Sequence, residues 1–533
     1  MFNKGLYHTW VPKLAQLVLI FATLIFILPA GGVYTANSAV MYADLGNLSE
    51  QLSFANNAST IGMVLAMPLI FSVINHFRLK EIVVTALVVV AVLSLVISQT
   101  ESPYLIIGLS YIIGFLKYFA LLVFILPVMR LVSPTGDRAQ FYFFFYPFSI
   151  CMGQLATYVT AKIAYVADWR HVYLWMAIGL LGCALAAIVT MHNKRGGKQV
   201  KMRGVDWKSA LLLGTALSLL NYVFAFSKQQ DWFNSGYIQI ASVGFLILSV
   251  SFLYRQSVLD KPYVGLHFLR KRNVLTGILL MLLMGMYLAT GVLQTAFTTV
   301  LGYDSPTTNV LNIAMVPGII VGSLICRLAK KYSWAVRWPI FIAFICFQLS
   351  SIQMYFMIAP VIEIEFLLLP IFLKGVGMCI LFIVVSLLVV DKLGPMDMLP
   401  VVSIFMAFRT FIGTSLFSAV FTWALYKLQL FQMSNLSSAV DGMNPFATLR
   451  GDTSLLYKSV SAQATLMAVK QLFGYVVLGG MIILVFVLLH PFNHLHHRKL
   501  ILSRKRFRGE STKGYRKRGI SIADIPAASV PAE

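Results

Sequence analysis

Apolar runs of about twenty residues recur along this sequence from near its start as far as His490, and that length crosses about 30 Å of hydrocarbon as a helix. A soluble fold has no use for so many such runs. The short alternating segments of a membrane β-barrel do not occur. Only 11% of the 533 residues are charged and 59% are hydrophobic, where soluble domains carry about a quarter charged. The chain is expected to be an all-α integral membrane protein.

Fourteen spans are expected, at 13–36, 56–75, 81–99, 103–129, 139–163, 170–191, 208–227, 236–255, 273–300, 306–327, 336–357, 363–390, 400–426 and 467–490. Pro68, Pro127, Pro147, Pro317 and Pro370 lie inside spans and predict kinks, which neighbouring helices can satisfy. The first run, Leu14 to Tyr34, is too long for a signal-peptide core and is retained as a span. Between the last two spans, Thr453 to Ala468 reads as an amphipathic helix within an outer connection at 427–466.

Loop charges orient these spans. With the amino terminus inside, the inner loops and the tail after Pro491 hold 32 of the 42 lysines and arginines, the outer loops hold 5, and 5 more lie within or at the ends of spans. Such asymmetry is the positive-inside pattern, so both termini are expected in the cytoplasm of a cell with this protein in its plasma (bacterial inner) membrane. The net charge of +23 belongs to this pattern, and nucleic acid is not expected as a partner. The five cysteines all fall inside apolar runs as packing residues, without zinc or disulfide spacing.

Basic inner segments divide the chain. Residues 1–191 form an expected six-helix half, 192–272 hold basic loops and two inserted helices, and 273–490 form a second six-helix half. A basic cytoplasmic tail, expected to be disordered, follows at 491–533. This is a 6 + 2 + 6 plan, with two pseudo-equivalent halves.

Local motifs then become informative. TANSAVMYADLG (Thr35–Gly46) ends the first span, DWRHVYLW (Asp168–Trp175) opens the sixth, and DWFNSGYI (Asp231–Ile238) and DKPYVGLHFLRKRN (Asp260–Asn273) flank the eighth. GVLQTAFTTVLGYDSPTTN (Gly291–Asn309), RLAKKYS (Arg327–Ser333), AFRTFIGTS (Ala407–Ser415) and AQATLMAVKQLF (Ala462–Phe473) follow in order. In sequence and spacing these resemble the fourteen-helix drug:proton antiporter family of the major facilitator superfamily, over nearly the whole chain. The resemblance implies a major facilitator-type bundle that exports drugs in exchange for protons.

Departures from that pattern bear on mechanism. The family's charged loop motif GxLaDRxGRK reads FSVINHFRLK, with Asn75 and His76 in place of Asp and Arg, and Lys330 stands at the Asp position in the second half. The glycine-rich antiporter motif survives only as Gly153. Gly32 lies near the place of an expected acid, Gln471 replaces another, and Lys117 approximates the basic residue of the fourth span.

Ionisable groups in mid-membrane are functional candidates by default. Here the deep ones are cations: Lys117 in span four, Lys374 in span twelve and Arg409 in span thirteen. No carboxylate is deep, which leaves Glu363 and Glu365, near the outer end of span twelve, or a lysine such as Lys117, as candidates for proton coupling. Asn37, Gln154 and Gln294 are candidates to hydrogen-bond a substrate or to satisfy other polar groups between helices, and Asn37 and Gln294 stand out because spans one and nine would be equivalent cavity-lining helices. The run QFYFFFYPF (Gln140–Phe148) could stack flat ligands, although lipid contact explains it more simply. The His490–His497 cluster reads as an interfacial basic end, so no metal is expected, and no cofactor either. No phosphate-binding GxxxxGK[ST] motif occurs to drive an ATP pump.

Secondary active export of small amphipathic or hydrophobic compounds, coupled to protons or another ion, is the leading expectation. Transport of an anionic metabolite is the alternative. Across classes, a lipid- or carotenoid-modifying enzyme is disfavoured because the histidines are scattered, and no enzyme activity is expected. The expected partners are a small-molecule substrate and the lipid bilayer, with a periplasmic adaptor left open.

Overall fold

A computed structural model describes residues 6–46, 48–133, 137–193, 206–259, 262–266, 271–390, 401–402, 404–439, 453–490 and 492. Among these the protein is all-helical, apart from an isolated bridge between Tyr7 and Met191. Eleven helices are long and apolar enough to cross a membrane, which makes this a multi-pass integral membrane protein.

In chain order the helices are α1 (Lys13–Ile27), α2 (Ser38–Leu45), α3 (Ser49–Ala66), α4 (Ile70–His76), α5 (Leu79–Gln99), α6 (Pro103–Val132), α7 (Arg138–Val166) and α8 (Trp169–Thr190). After them come α9 (Trp207–Phe226), α10 (Gly236–Val258), α11 (Arg272–Val300), α12 (Ser305–Lys331), α13 (Arg337–Met357) and α14 (Leu368–Val390). The last two are α15 (Gly413–Ala439) and α16 (Thr453–Leu489). Aspartates cap four of the starts: Asp137, Asp168, Asp206 and Asp304 each accept a backbone N–H from the first turn of α7, α8, α9 and α12. Gly302, at φ 78°, takes the left-handed turn after α11.

A helix stands at each of the fourteen expected positions. The three that fall outside the eleven are informative. The first span is interrupted after Ile27 rather than continuous to residue 36. The second bends through a 3-10 turn at Met67–Leu69 that contains Pro68. The fifth, α7, is unbroken but carries a mixed polar and aromatic surface. At the other end of the chain, the expected long connection at 427–466 is mostly helix. α15 continues to Ala439, and Thr453–Ala468 is the start of a single 37-residue helix rather than a separate one.

Contacts between helix ends fit alternate crossing. His8 N donates to Thr190 O at 2.9 Å, Lys80 bonds Ile188 O, Lys330 pairs with Asp137, and Arg337 donates to His490 O at 3.0 Å. All of these residues share the face that the loop charges make basic. Opposite it, Arg170 pairs with Asp44 at 2.7 Å, Tyr303 donates to Ile362 O at 2.8 Å, and Lys470 lies over the Tyr355 ring.

Helix pairing repeats along the chain. α3 lies on α6 and α5 on α8, and then α12 lies on α14 and α13 on α16. α9 and α10 pack on each other, with α9 also against α3 and α15. α7 runs along α12 and touches α14, joining the first six spans to the last six. The apolar window of α14 is 89% buried and that of α10 only 17%, so α14 is central and α10 has most of its surface free for lipid.

Candidate functional site

Pro29, Gly31 and Gly32 follow the end of α1, and the chain resumes as a 3-10 turn at Thr35–Asn37. Backbone carbonyls in this interruption have no intrahelical donor, and inside a membrane each needs one from elsewhere. Lys117 of α6 supplies it. Its Nζ donates to Ala30 O at 2.6 Å and to Leu28 O at 3.4 Å, while the Tyr173 hydroxyl of α8 donates to Gly32 O at 2.8 Å. A side chain at residue 32 would stop α6 from coming this close, because a Cβ on Gly32 would lie 1.6 Å from Ser110 Oγ.

Lys374 repeats the arrangement on α14. Its Nζ donates to Thr290 Oγ1 at 3.0 Å and to Leu288 O at 3.4 Å, both on α11. Each lysine thus lies on the fourth span of its set of six and binds the first, and each is buried, Lys117 8% and Lys374 7% exposed. The flanking seams match as well. A Cβ on Gly114 would lie 1.8 Å from Ser59 O, and one on Gly375 would lie 2.6 Å from Met315 O, so both helix pairs meet backbone to backbone.

Arg409 behaves differently. It sits in a single turn of π-helix, Phe408–Ile412, just before α15. Such turns often mark functional positions. Its guanidinium carbon lies 4.6 Å from the ring centre of Phe382 on α14 and 5.2 Å from that of Tyr146 on α7. Nε is buried and has no hydrogen-bond partner. Towards the basic face, α7 and α14 are tied by Arg138, which donates to Val390 O at 3.5 Å, and α12 joins α7 through Ser323, which donates to Phe143 O at 2.8 Å. Tyr146 and Phe382 had no separate signal in the sequence. They read as two more aromatics in apolar runs, although the run Gln140–Phe148 did carry a stacking alternative. Its Phe141, Tyr142 and Phe143 are buried against neighbouring helices rather than spread in lipid.

The remaining candidates are not gathered into one cluster. Gln154 and Gln294 are half-buried on α7 and α11, and next to them Gly153 and Gly291 have nothing within 4 Å of where a Cβ would be. Asn37 is fully buried with neither amide atom partnered, and the nearby Tyr34 hydroxyl is unpartnered too. Ser305 reaches Ala36 O at 3.5 Å, which places Asn37 beside the start of α12. Glu363 and Glu365 are exposed where the chain enters α14. A partly open apolar pocket stands apart from all of these: about 300 Å³ between α1, α6 and α7, lined by Leu17, Phe21, Val128 and Phe144 among others. Of the His490–His497 cluster, all but His490 and Phe492 lies outside the described residues.

No family model and no curated protein matches this chain. Solved structures do. A bacterial homologue of the human lysosomal transporter Spinster, in an inward-facing and unoccupied conformation, aligns with 89% of this chain and 98% of its own at a TM-score of 0.52 and 10% identity. Tetrameric PepTSo2 aligns with 92% of this chain and 98% of its own at a TM-score of 0.52 and 13% identity. The chain has the major facilitator fold. At these identities the likeness concerns the backbone arrangement alone.

Within this major facilitator bundle, α9 and α10 are anchored unequally. Asn57 of α3 donates to Asn221 Oδ1 at 2.9 Å, Asn221 donates to Phe54 O at 3.0 Å, and Tyr111 of α6 meets Ser218 at 2.7 Å. Tyr263 OH bonds Leu65 O on the basic face, next to a network in which Arg255 pairs with Asp206 at 2.9 Å. Arg255 and Ser209 together hold the Asp206 carboxyl down at about 2. Towards α15 the links lie on the opposite surface, where Lys228 stands over the Tyr426 ring and Trp232 meets Trp423 beside an aspartate. Asp231, at φ 49°, accepts from Trp423 Nε1 at 2.7 Å and Lys427 at 3.0 Å. Those two donors and Asn234 bring its carboxyl to about 2.

Proposed function

We propose that this protein is a secondary active transporter that moves small amphipathic or hydrophobic compounds out of the cell by alternating access. The observation that carries this reading is the matched construction of the two sets of six helices. Each is pinned by one buried lysine from its fourth span to its first, and the sets meet along α7, α12 and α14. Two rigid units joined along a narrow seam can rock about a central site. In this reading the chain crosses the plasma (bacterial inner) membrane fourteen times in a 6 + 2 + 6 order, both ends in the cytoplasm. Gln154, Gln294 and Asn37 orient the substrate. Protons are the coupling ion, and the motif resemblance to the fourteen-helix drug:proton antiporters supports both direction and coupling. Lys117 and Lys374 are better placed than the exposed Glu363 and Glu365 to sense the coupling proton inside the membrane. Proteoliposomes holding the purified protein should move a lipophilic dye faster with an imposed pH gradient than without one. Equal rates would remove the coupling, and no movement of any dye would remove the export reading.

A second reading, transport of an organic anion, is favoured by one observation. Lys117, Lys374 and Arg409 are the deep charges, and none of them meets a carboxylate among the described residues. If cationic dyes are transported and Lys117→Ala leaves that transport unaltered, this reading fails.

A further inference from the structure

Among the deep cations, Lys117 and Lys374 spend their donors on protein oxygens, whereas Arg409 does not. Ring faces stabilise the charge of a guanidinium but accept none of its N–H groups. Among the described residues no carbonyl, hydroxyl or carboxylate accepts a hydrogen bond from Arg409, and its Nε is buried. A buried donor without an acceptor is costly, and in native proteins it calls for an explanation.

Position supplies one. Tyr146 is eight residues into α7 from Arg138, Phe382 is eight residues before the end of α14 at Val390, and the guanidinium carbon of Arg409 lies within 5.2 Å of both ring centres. Eight helical residues span about 12 Å. The three side chains therefore lie at one depth, about 12 Å in from the basic face. The Arg138–Val390 bond independently sets the ends of α7 and α14 level with each other. Arg409 and Phe382 come from the last six spans and Tyr146 from the first six, so the trio straddles the seam between them.

We propose that Arg409, Tyr146 and Phe382 form a subsite for a planar aromatic carboxylate. The carboxylate would take the in-plane N–H donors of Arg409, whose fork geometry matches two oxygens. The aromatic part would lie against the rings of Tyr146 and Phe382, which stand 6.2 Å apart, centre to centre. This narrows the organic-anion reading to a substrate class and rests on the chain being a transporter. A ligand held by side chains of both sets of helices has different contacts when they move apart, which is what alternating access requires of it.

The test uses the full-length protein, purified in lipid nanodiscs, with 1-naphthoate, its neutral amide 1-naphthamide and the aliphatic octanoate as probes. Isothermal titration should show 1-naphthoate binding at least about tenfold more tightly than either comparison ligand. Arg409→Lys keeps the charge without the fork and should weaken naphthoate about tenfold, while Phe382→Leu should bring naphthoate towards octanoate. Equal binding of acid and amide, no binding of naphthoate, or an Arg409→Lys protein that binds it normally would overturn the proposal. The acid–amide comparison needs no variant, so a substitution that prevents folding does not shield the idea. Proteoliposomes that move dyes while the nanodisc protein ignores naphthoate would sink the subsite and leave the export reading. Naphthoate binding without transport of any compound would sink the export reading instead.

Discussion

Lys117 and Lys374 occupy matching places yet bind different things. Lys117 holds backbone carbonyls of an interrupted helix, while Lys374 holds chiefly a threonine hydroxyl on α11, which is continuous over 29 residues. In the first set the lysine replaces hydrogen bonds that the chain gave up at Pro29 and the following glycines. In the second, the carbonyls near Lys374 already belong to a helix, and Thr290 also bonds its own backbone at Tyr287 O. The first set of six is thus built around a backbone that needs the lysine, and the second around one that tolerates its loss.

The largest effect is expected in the flanking seams, where backbone meets backbone most closely. Gly114→Ala would press a methyl group into the Ser59 carbonyl at 1.8 Å, with backbone atoms on both sides, whereas Gly375→Ala meets Met315 O at 2.6 Å. Overpacking of this kind costs about 1–3 kcal/mol and more when backbone must shift, so Gly114→Ala should fall at or beyond about 3 kcal/mol and Gly375→Ala below it. Fluorescence-detected size exclusion and melting of the two variants in detergent measure the gap. Equal losses would mean that the sets are not built to different tolerances.

Next in size are the lysines themselves. Lys117→Met leaves Ala30 O buried without its donor, at a cost of about 1–3 kcal/mol, and Lys374→Met should cost about 1 kcal/mol or less. Proteolysis or hydrogen exchange across residues 28–34 sharpens the contrast. That segment should loosen in Lys117→Met and stay protected in Lys374→Met. The reverse pattern would break the comparison outright.

Much of this scaffold was legible because membrane solvent leaves so few options. Twenty apolar residues must be helix, and basic residues must gather on one face, so span positions followed from hydropathy and charge. The interruption after Ile27 was less visible, since Pro29, Gly31 and Gly32 sit in a run that remains apolar. Lys117 and Lys374 stand out in the sequence because a membrane-embedded cation is costly, yet their equivalence does not. It resides in which oxygens they reach, and the Phe-Leu-Lys they share, at Phe115–Lys117 and Phe372–Lys374, is too short to stand out in such apolar runs. Tyr146 and Phe382 were missed as partners of Arg409 because an aromatic in an apolar run looks the same whether it meets lipid or a guanidinium. The equivalence of spans one and nine marks Asn37 as a cavity residue. Its burial beside the start of α12 depends on packing between distant segments, to which a single sequence gives no access.

The smallest effect concerns how the inserted helices divide their attachments. Three side-chain bonds fix α9 to the first set, while Asp231 holds the hydrogen bonds to α15, beside Lys228 over the Tyr426 ring. Asp231 is partly exposed, so its removal should be mild: Asp231→Asn is expected to lower the melting temperature by no more than about 2 °C at pH 7. The pH dependence has a definite sign. With its carboxyl held down at about 2 in the folded protein, Asp231 contributes stability above the ordinary carboxylate range, and this is lost as pH falls through about 2. The gap between wild type and Asp231→Asn should therefore be the same at pH 7 and pH 5 and shrink as the pH is taken down towards about 2. Asn57→Leu, which breaks an attachment on the other side, carries no charge and should show a gap that does not close with acid. If instead the Asp231→Asn gap were the larger of the two at pH 7, the inserted pair would belong energetically to the second set, and the unequal anchoring drawn from the side-chain bonds would have to be reversed.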